Sequence, residues 1–480
     1  MPLSPGNRSR STVRDVLFLV ADQWRGDTLG LLGTPGVHTP NLDTLARDSV
    51  TFTNHWCQAS PCGPSRASLL TGTSVARHGQ WTNDEPADPG LETLAGNAAR
   101  AGLTPLLVGY TDTPQSDRRL YDPAFEMVRP FLWQLGFPTY RWALARAGFG
   151  PLGDEATAIY PPDGEPTIDG LAPSRIPATD SDVAWLTDAA IDAVTNRSEP
   201  WLLHVNWLRP HPPLVPPAPY HRLVDPDEVA LPVHPVPLEE LASSHELYAL
   251  AARNRTMTEY LQRRCRIESV TDTDERHVRA AYYGLCAEVD HHVGRLIDEL
   301  RRSGRLDSTL IIFLSDHGDA LGDHWLYGRR GPFDGHFRVP CIVRDPRPEA
   351  DGARGTQVEA FTENIDIMST ILDALGQAIP PEVEGKPLAG FLRGEAPDVW
   401  RSHVRYEMDW TDNLRSVDRR ALGSDRLRFS AVRTDRHRLV KFNRASPLLF
   451  DLVEDPDESV NRAGDPTLAG VLHDLGQLAR

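Results

Sequence analysis

The chain has 480 residues, enough for two or three domains on length alone, and its 40% hydrophobic content suits a globular protein. Its formal net charge of −17 argues against a nucleic-acid partner, because phosphate backbones are gripped through excess cations. An anionic small molecule is not excluded, since a few arginines lining a cleft can oppose the overall sign.

The cysteines are Cys57, Cys62, Cys265, Cys286 and Cys341, an odd number spaced for neither a disulfide framework nor a zinc site. A reducing compartment is the simpler reading. The apolar run at 16–20 is too short for a signal-peptide core and is followed by Asp22, and no stretch approaches a membrane span. The expectation is a cytoplasmic protein without a membrane partner.

In chain order, residues 16–20 (Val-Leu-Phe-Leu-Val) have the pattern of a strand buried on both faces of a parallel sheet. Asp22 follows at the strand end, where open α/β sheets bind ligands. Residues 39–46 read as a turn, a cap and an amphipathic helix, and 50–54 as a strand. A helix then begins near Cys62. Pro64 suits a first turn because its φ is already helical and it has no N–H to lose, and Gly72 is a stop signal. Cys62 therefore falls at a helix N-terminus, where unpaired N–H groups favour an anion. Arg66 lies one turn on, on the same face.

The run Cys62-Gly63-Pro64-Ser65-Arg66, closed by Leu70-Thr71-Gly72, resembles the signature of the type I sulfatases of the alkaline phosphatase superfamily. The resemblance implies that Cys62 is oxidised to formylglycine by a formylglycine-generating enzyme that reads Cys-x-Pro-x-Arg. It also implies an α/β fold: a mixed, mostly parallel central sheet flanked by helices, alkaline phosphatase-like, with a small C-terminal α+β subdomain. Asp22 is similar to the family's first metal ligand. Many sulfatases carry paired aspartates there, whereas Ala21-Asp22 looks like the phosphonate monoester hydrolase branch.

Further on, Asn83 resembles an asparagine that contacts the substrate anion in that branch. Residues 91–101 look helical and 103–108 form a second buried strand, ending in Gly109-Tyr110-Thr111-Asp112-Thr113. This segment is similar to the phosphonate hydrolases and lacks the Gly-Lys-x-His cations of most sulfatases. Tyr110 and Asp112 are thereby expected to line the substrate site. Asp112 stands where the branch has a neutral threonine, and a carboxylate beside an anionic ester costs affinity unless a cation accompanies it. Its expected partner is an arginine or a cationic part of the substrate.

Residues 113–180, rich in proline and glycine, read as an irregular insertion over the site, and 181–196 as a helix. The strand 201–207 runs into Arg209-Pro210-His211-Pro212-Pro213, whose prolines fix the backbone just past the strand end. His211 resembles the family histidine that contacts the scissile ester and protonates the leaving oxygen. His204, inside the strand, reads as a core residue. Residues 224–272 are charged and irregular, suited to a lid or an oligomer contact. Residues 274–301 form a long helix with an inward stripe of Ala281, Leu285, Val289, Val293, Leu296 and Leu300.

The strand at 309–314 ends in Ser315-Asp316-His317-Gly318-Asp319. Adjacent oxygen and nitrogen donors at a strand end suit one divalent Ca, Mn, Mg or Zn ion, and the segment resembles the superfamily's metal motif. The implied metal set is Asp22, Cys62 (as formylglycine), Asp316 and His317. Arg329 stands where the family usually has the lysine that bridges formylglycine and ester oxygen, with Arg330 adjacent. Residues 338–343 read as one more strand and 364–368 as a scaffold helix start. The catalytic domain is expected to span 1–395. A smaller subdomain at 396–480 carries antiparallel strands at 433–441 and 447–452 and a last helix from Pro466.

Together these residues imply a metal-dependent hydrolase of sulfate esters, phosphonate monoesters or phosphodiesters acting on a small anionic ester. Cys62, Arg66, His211 and Arg329 are its catalytic set. The alternatives are an arylsulfatase proper and a non-catalytic member that kept the fold.

Overall fold

The structure, a computed structural model, describes residues 13–113, 122–131, 138–149, 172–253, 260, 267–410 and 427–479. Cys265 and residues 114–121, 132–137 and 150–171 of the expected insertion lie outside them. Fifteen strands are described: β1 (Asp15–Ala21), β2 (Val50–Phe52), β3 (His55–Trp56), β4 (Thr104–Gly109), β5 (Glu126–Pro130), β6 (Trp201–Trp207), β7 (Thr309–Ser315), β8 (Arg338–Val339), β9 (Cys341–Arg344), β10 (Thr356–Val358), β11 (Thr362–Glu363), β12 (His403–Asp409), β13 (Arg428–Thr434), β14 (His437–Phe442) and β15 (Leu448–Asp451). Eight of them make the central sheet, in the order β10-β2-β9-β7-β1-β6-β4-β5. β9 runs antiparallel to β2 and β7, and the other pairings are parallel.

Alternation along β1 explains the layering. Leu17 and Leu19 face one core with the helices Asp182–Asn196 and Asp272–Arg302, including the whole predicted stripe of the latter. Val16, Phe18 and Val20 face the other core with the helices Cys62–Thr71, Leu94–Arg100 and Asp366–Ala374. Both faces being covered, the central strands need apolar residues throughout, which is why their sequences read as unbroken apolar runs. The 31-residue helix Asp272–Arg302 starts with a reciprocal cap between Thr271 and Asp274, satisfying backbone N–H groups that the helix itself cannot.

His204 is buried in β6, stacked on Phe18 at 4.7 Å between ring centroids, and burial lowers its pKa to about 3. It is a neutral core residue, as its place inside the strand implied.

Several boundaries differ from the sequence reading. The insertion is not wholly irregular: β5 adds to the sheet edge, and a helix spans Pro138–Arg146. Within 224–272 two short helices form, Leu238–Ser244 and Glu246–Arg253. The single strand expected at 338–343 is split at Pro340. β8 joins a three-stranded sheet in the order β11-β3-β8, while β9 joins the central one. Proline has no N–H for a ladder, so the chain changes sheets there.

The expected strand 433–441 instead straddles a hairpin, with β13 ending at Thr434 and β14 beginning at His437. β12 to β15 form an antiparallel meander. One face packs Tyr406, Phe429 and Phe450 against Trp56, Phe333 and Phe337. The other carries the helix Ala469–Leu478 through Leu475. The Glu407 N–H donates to the Gln58 carbonyl at 2.8 Å, so this sheet braces the loop leading into Cys62.

Ile312 in β7 is fully buried between these layers. Ile312→Ala should cost about 2–5 kcal/mol of stability and Ile312→Val about 1 kcal/mol, read as shifts of the urea unfolding midpoint at unchanged slope.

Candidate active site

Four parallel strands end at one edge in register. Ala21 is level with both Ser315 and Trp207, and Val108 pairs with Val205. The residues that follow these ends, Asp22, Asp316, His317, Tyr110 and, after a short turn, His211, therefore meet in one crevice. The helix Cys62–Thr71 points its first residue into it. Gly72 ends that helix in the left-handed conformation, its N–H bonded to the Ser68 carbonyl, as its sequence position implied.

One donor atom from each of Asp22, Cys62, Asp316 and His317 lies within 4.8 Å of the others, all four residues being buried. Cys62 Sγ is 3.2 Å from His317 Nε2 and 3.8 Å from Asp22 Oδ1. Two carboxylates and an imidazole converging on one point fit a divalent cation. His317 Nδ1 donates to the Gly318 carbonyl at 3.0 Å, leaving Nε2 as the free lone pair that a ligand requires.

Arg66 is buried among these groups. Its Nη2 donates to Asp22 and its Nε to Asp316, each at 2.8 Å, and its guanidinium lies over the Tyr110 ring at 4.1 Å. The Tyr110 hydroxyl donates to Asp22 Oδ2 at 2.6 Å. Burial works against ionisation of Asp22, but the Arg66 guanidinium and the Tyr110 hydroxyl oppose it and the carboxyl is held low, at about 2. Arg66 and Tyr110 thus serve the carboxylates directly.

Cys62 responds in the opposite sense. Burial pushes its thiol well above the ordinary range. Arg329 pulls it down, while Asp22, Asp316 and Asp112 push it further up. An unaltered thiol here stays protonated and is a poor nucleophile.

Of the two adjacent arginines it is Arg329 that enters. Its Nη1 donates to Cys62 Sγ at 3.3 Å and to His211 Nε2 at 2.8 Å. His211 Nδ1 donates to the Pro212 carbonyl at 2.6 Å, which defines the neutral tautomer with its lone pair on Nε2 toward Arg329. The Ser60 hydroxyl donates to the Arg329 carbonyl at 2.9 Å. Asn83 is half-buried at the rim, where its Oδ1 accepts the Gly63 N–H at 2.9 Å. Asp112 is fully buried rather than solvent-facing.

Four neighbours escaped the sequence reading. Gln23 gives its backbone N–H to Asp316 Oδ1 at 3.1 Å and its side-chain amide to Asp319. Asp319 also accepts the N–H groups of Leu321 and Gly328, bracing the loop that carries Arg329. Arg209 pairs with Asp182 at 3.3 Å and donates to the carbonyls of His211 and Pro213, which fixes the His211 turn. Asn364 donates to the Ser315 carbonyl at 3.1 Å. Gln23, Asp319 and Arg209 each lie within three residues of a recognised motif residue, the signal by which they could have been found.

A family model described as sulfatase matches residues 14–377, and one described as N-sulphoglucosamine sulphohydrolase, C-terminal, matches 322–479. The chain is 35% identical to a multifunctional alkaline phosphatase superfamily protein of Trinickia caryophylli, over 98% of this chain and 95% of that one. It is 27% identical to an arylsulfatase of Clostridium perfringens, over 93% and 89%. The phosphonate monoester hydrolase of Agrobacterium radiobacter superimposes with a TM-score of 0.90 at 33% identity, covering 97% of this chain and 94% of that structure. Among the described residues no helix is long and apolar enough to cross a membrane.

The Tyr110 hydroxyl, with Arg66, favours the ionised form of Asp22. With a folded pKa near 2 against an ordinary 3.8, that stability is fully present above the unfolded value and is lost as pH falls through the folded one. In chelator-treated protein, Tyr110→Phe should cost about 1–3 kcal/mol at pH 6. The gap from wild type should shrink as pH drops from 5 toward 2, measured by urea unfolding.

Proposed function

The chain belongs to the sulfatase family, and from that premise we propose that it hydrolyses phosphonate monoesters, phosphodiesters or sulfate esters with a formylglycine nucleophile made from Cys62. The observation that carries this reading is the meeting of Cys62 with Asp22, Asp316 and His317 on one side and Arg329 and His211 on the other. The raised pKa of the thiol adds to it, because the site is built against a thiolate and in favour of another nucleophile. The single Asp22, Tyr110 and the likeness to a phosphonate monoester hydrolase favour the phosphorus esters.

Conversion of Cys62 must precede folding. Cys62 is 3% exposed and Arg66 2%, so the Cys-x-Pro-x-Arg segment offers nothing to a formylglycine-generating enzyme once packed. Asp22, Asp316, His317 and the residue at position 62 would hold one divalent ion. When bound, that ion acidifies the hydroxyl at position 62 and offsets the charge of the ester. Arg66 keeps Asp22 ionised and aims both Asp22 and Asp316.

The hydrated aldehyde offers two hydroxyls. One attacks sulfur or phosphorus, and the leaving alcohol departs on the far side. Arg329 faces the oxygens that gain charge. His211 can act as general acid only with a proton on Nε2, and its contact with Arg329 excludes that proton. An entering ester replaces the contact, one oxygen on the guanidinium and the leaving oxygen on the imidazole. Loss of the proton from the second hydroxyl then breaks the bond between the carbon at position 62 and the esterified oxygen, expelling sulfate or the phosphorus acid and restoring the aldehyde, which water rehydrates. Arg209 holds the His211 turn throughout.

Protein co-produced with a formylglycine-generating enzyme should lose about 18 Da at Cys62 by intact mass, the change for thiol-to-aldehyde oxidation. It should turn over aryl phosphonate monoesters or phosphodiesters faster than aryl sulfates. Cys62→Ala should lower kcat/KM by about 10³-fold or more, and chelation should abolish turnover reversibly. An unconverted Cys62 with undiminished turnover would remove the proposal.

A further inference from the structure

Resting on that reading of the site, we propose that Asp112 sets the charge of the ester the pocket accepts, admitting singly charged tetrahedral esters and turning away doubly charged ones.

Asp112 follows β4 in the left-handed backbone conformation, with φ of 54°, and is fully buried. For a residue other than glycine that backbone is uncommon and is retained where the surroundings enforce it. The surroundings are the first turn of the Cys62 helix. A Cβ on Gly63 would lie 2.9 Å from the Asp112 carbonyl and 3.0 Å from Asn83 Oδ1, so residue 112 is pressed against the residue next to the nucleophile. No side chain fits between them.

The charge of Asp112 is felt on both sides of the reacting position. Burial opposes the charge on Arg329, and Cys62, Asp22 and Asp112 all favour it. At Cys62, Asp112 acts with Asp22 and Asp316 against ionisation. The pocket therefore holds the carboxylates of Asp22, Asp316 and Asp112 against the guanidiniums of Arg66 and Arg329. Arg66 is engaged by Asp22 and Asp316, and Asp112 joins Asp22 in offsetting the positive charge of Arg329 toward the ester. A tetrahedral monoanion still meets a divalent ion and the Arg329 donors. A dianion brings one more negative charge into a dry pocket that already contains a carboxylate, where charges interact far more strongly than in water. The neutral side chain implied for the branch at this place would leave Arg329 less compensated.

Methanesulfonate and sulfate share a tetrahedral sulfonyl head and differ by one charge at pH 8. Binding of each to full-length wild type and Asp112→Asn, by calorimetry at constant ionic strength, tests the idea without turnover. Asp112→Asn should raise the sulfate-to-methanesulfonate affinity ratio by about tenfold or more, the order expected for one charge near the ligand. Asp112→Glu, which keeps the charge, should leave the ratio near wild type. If Asp112→Asn does not fold, Asp112→Thr takes its place. An unchanged ratio, equal gains for both anions, or failure of both to bind overturns the proposal. Turnover is read separately: a protein inert on every ester but showing the shifted ratio sinks the hydrolase reading and keeps this one.

Discussion

The structure depends on one buried guanidinium shared by two carboxylates. Arg66 touches Asp22 at the end of β1 and Asp316 at the end of β7, each at 2.8 Å, while standing on the helix that carries Cys62. Each partner alone would be untenable there: a buried cation without anions, or two facing carboxylates without a cation, carries a desolvation cost of several kcal/mol. Together they are mutually required. The ion pair therefore does more than add stability. It fixes the distance between two strand ends and a helix start, and with it the position of residue 62.

That arrangement is possible because the strands are parallel and in register. Ala21, Ser315 and Trp207 sit level across three neighbouring strands, so whatever follows them must emerge at one edge. Polar residues there are satisfied from behind by backbone and by buried amides. The Ser315 hydroxyl accepts the Trp24 N–H at 2.8 Å and donates to the Ala21 carbonyl, and Asn364 holds the Ser315 carbonyl. A rigid sheet edge of this kind allows charged side chains to be pre-aimed, which is where electrostatic catalysis draws most of its effect. The C-terminal meander contributes from the outside by holding the Gln58 loop that leads to the helix beginning at Cys62.

The sequence made the strand ends legible because each central strand is an unbroken apolar run followed at once by polar residues, as at Val20-Ala21-Asp22 and Leu314-Ser315-Asp316. The helix at Cys62 was legible through Pro64 and Gly72. Less visible were elements whose pattern is set by partners distant in sequence. β5 has no alternation of its own and is a strand because β4 offers an edge. Pro340 marks a change of sheet that only the pairing of β8 with β3 and of β9 with β7 reveals. The β13–β14 hairpin was hidden because its turn, Asp435-Arg436, has no glycine. Within the site, Gln23 and Asp319 act through contacts separated by nearly 300 residues, a relation that no local spacing encodes.

Arg329 and Asp112 are the two positions where the chain leaves the pattern it otherwise follows, and they belong to one electrostatic unit. Arg329 uses a single nitrogen, Nη1, toward both Cys62 and His211. A lysine ammonium could make the same two contacts. What arginine adds is permanence, since a guanidinium does not release its proton at accessible pH. A lysine in so buried a place could shed its charge when the pocket is empty; an arginine cannot, and the charge must be balanced by something fixed. Asp112, buried beside the first turn of the Cys62 helix, is placed to balance it. The two departures therefore read as one exchange, a titratable cation replaced by a permanent one together with its counter-charge.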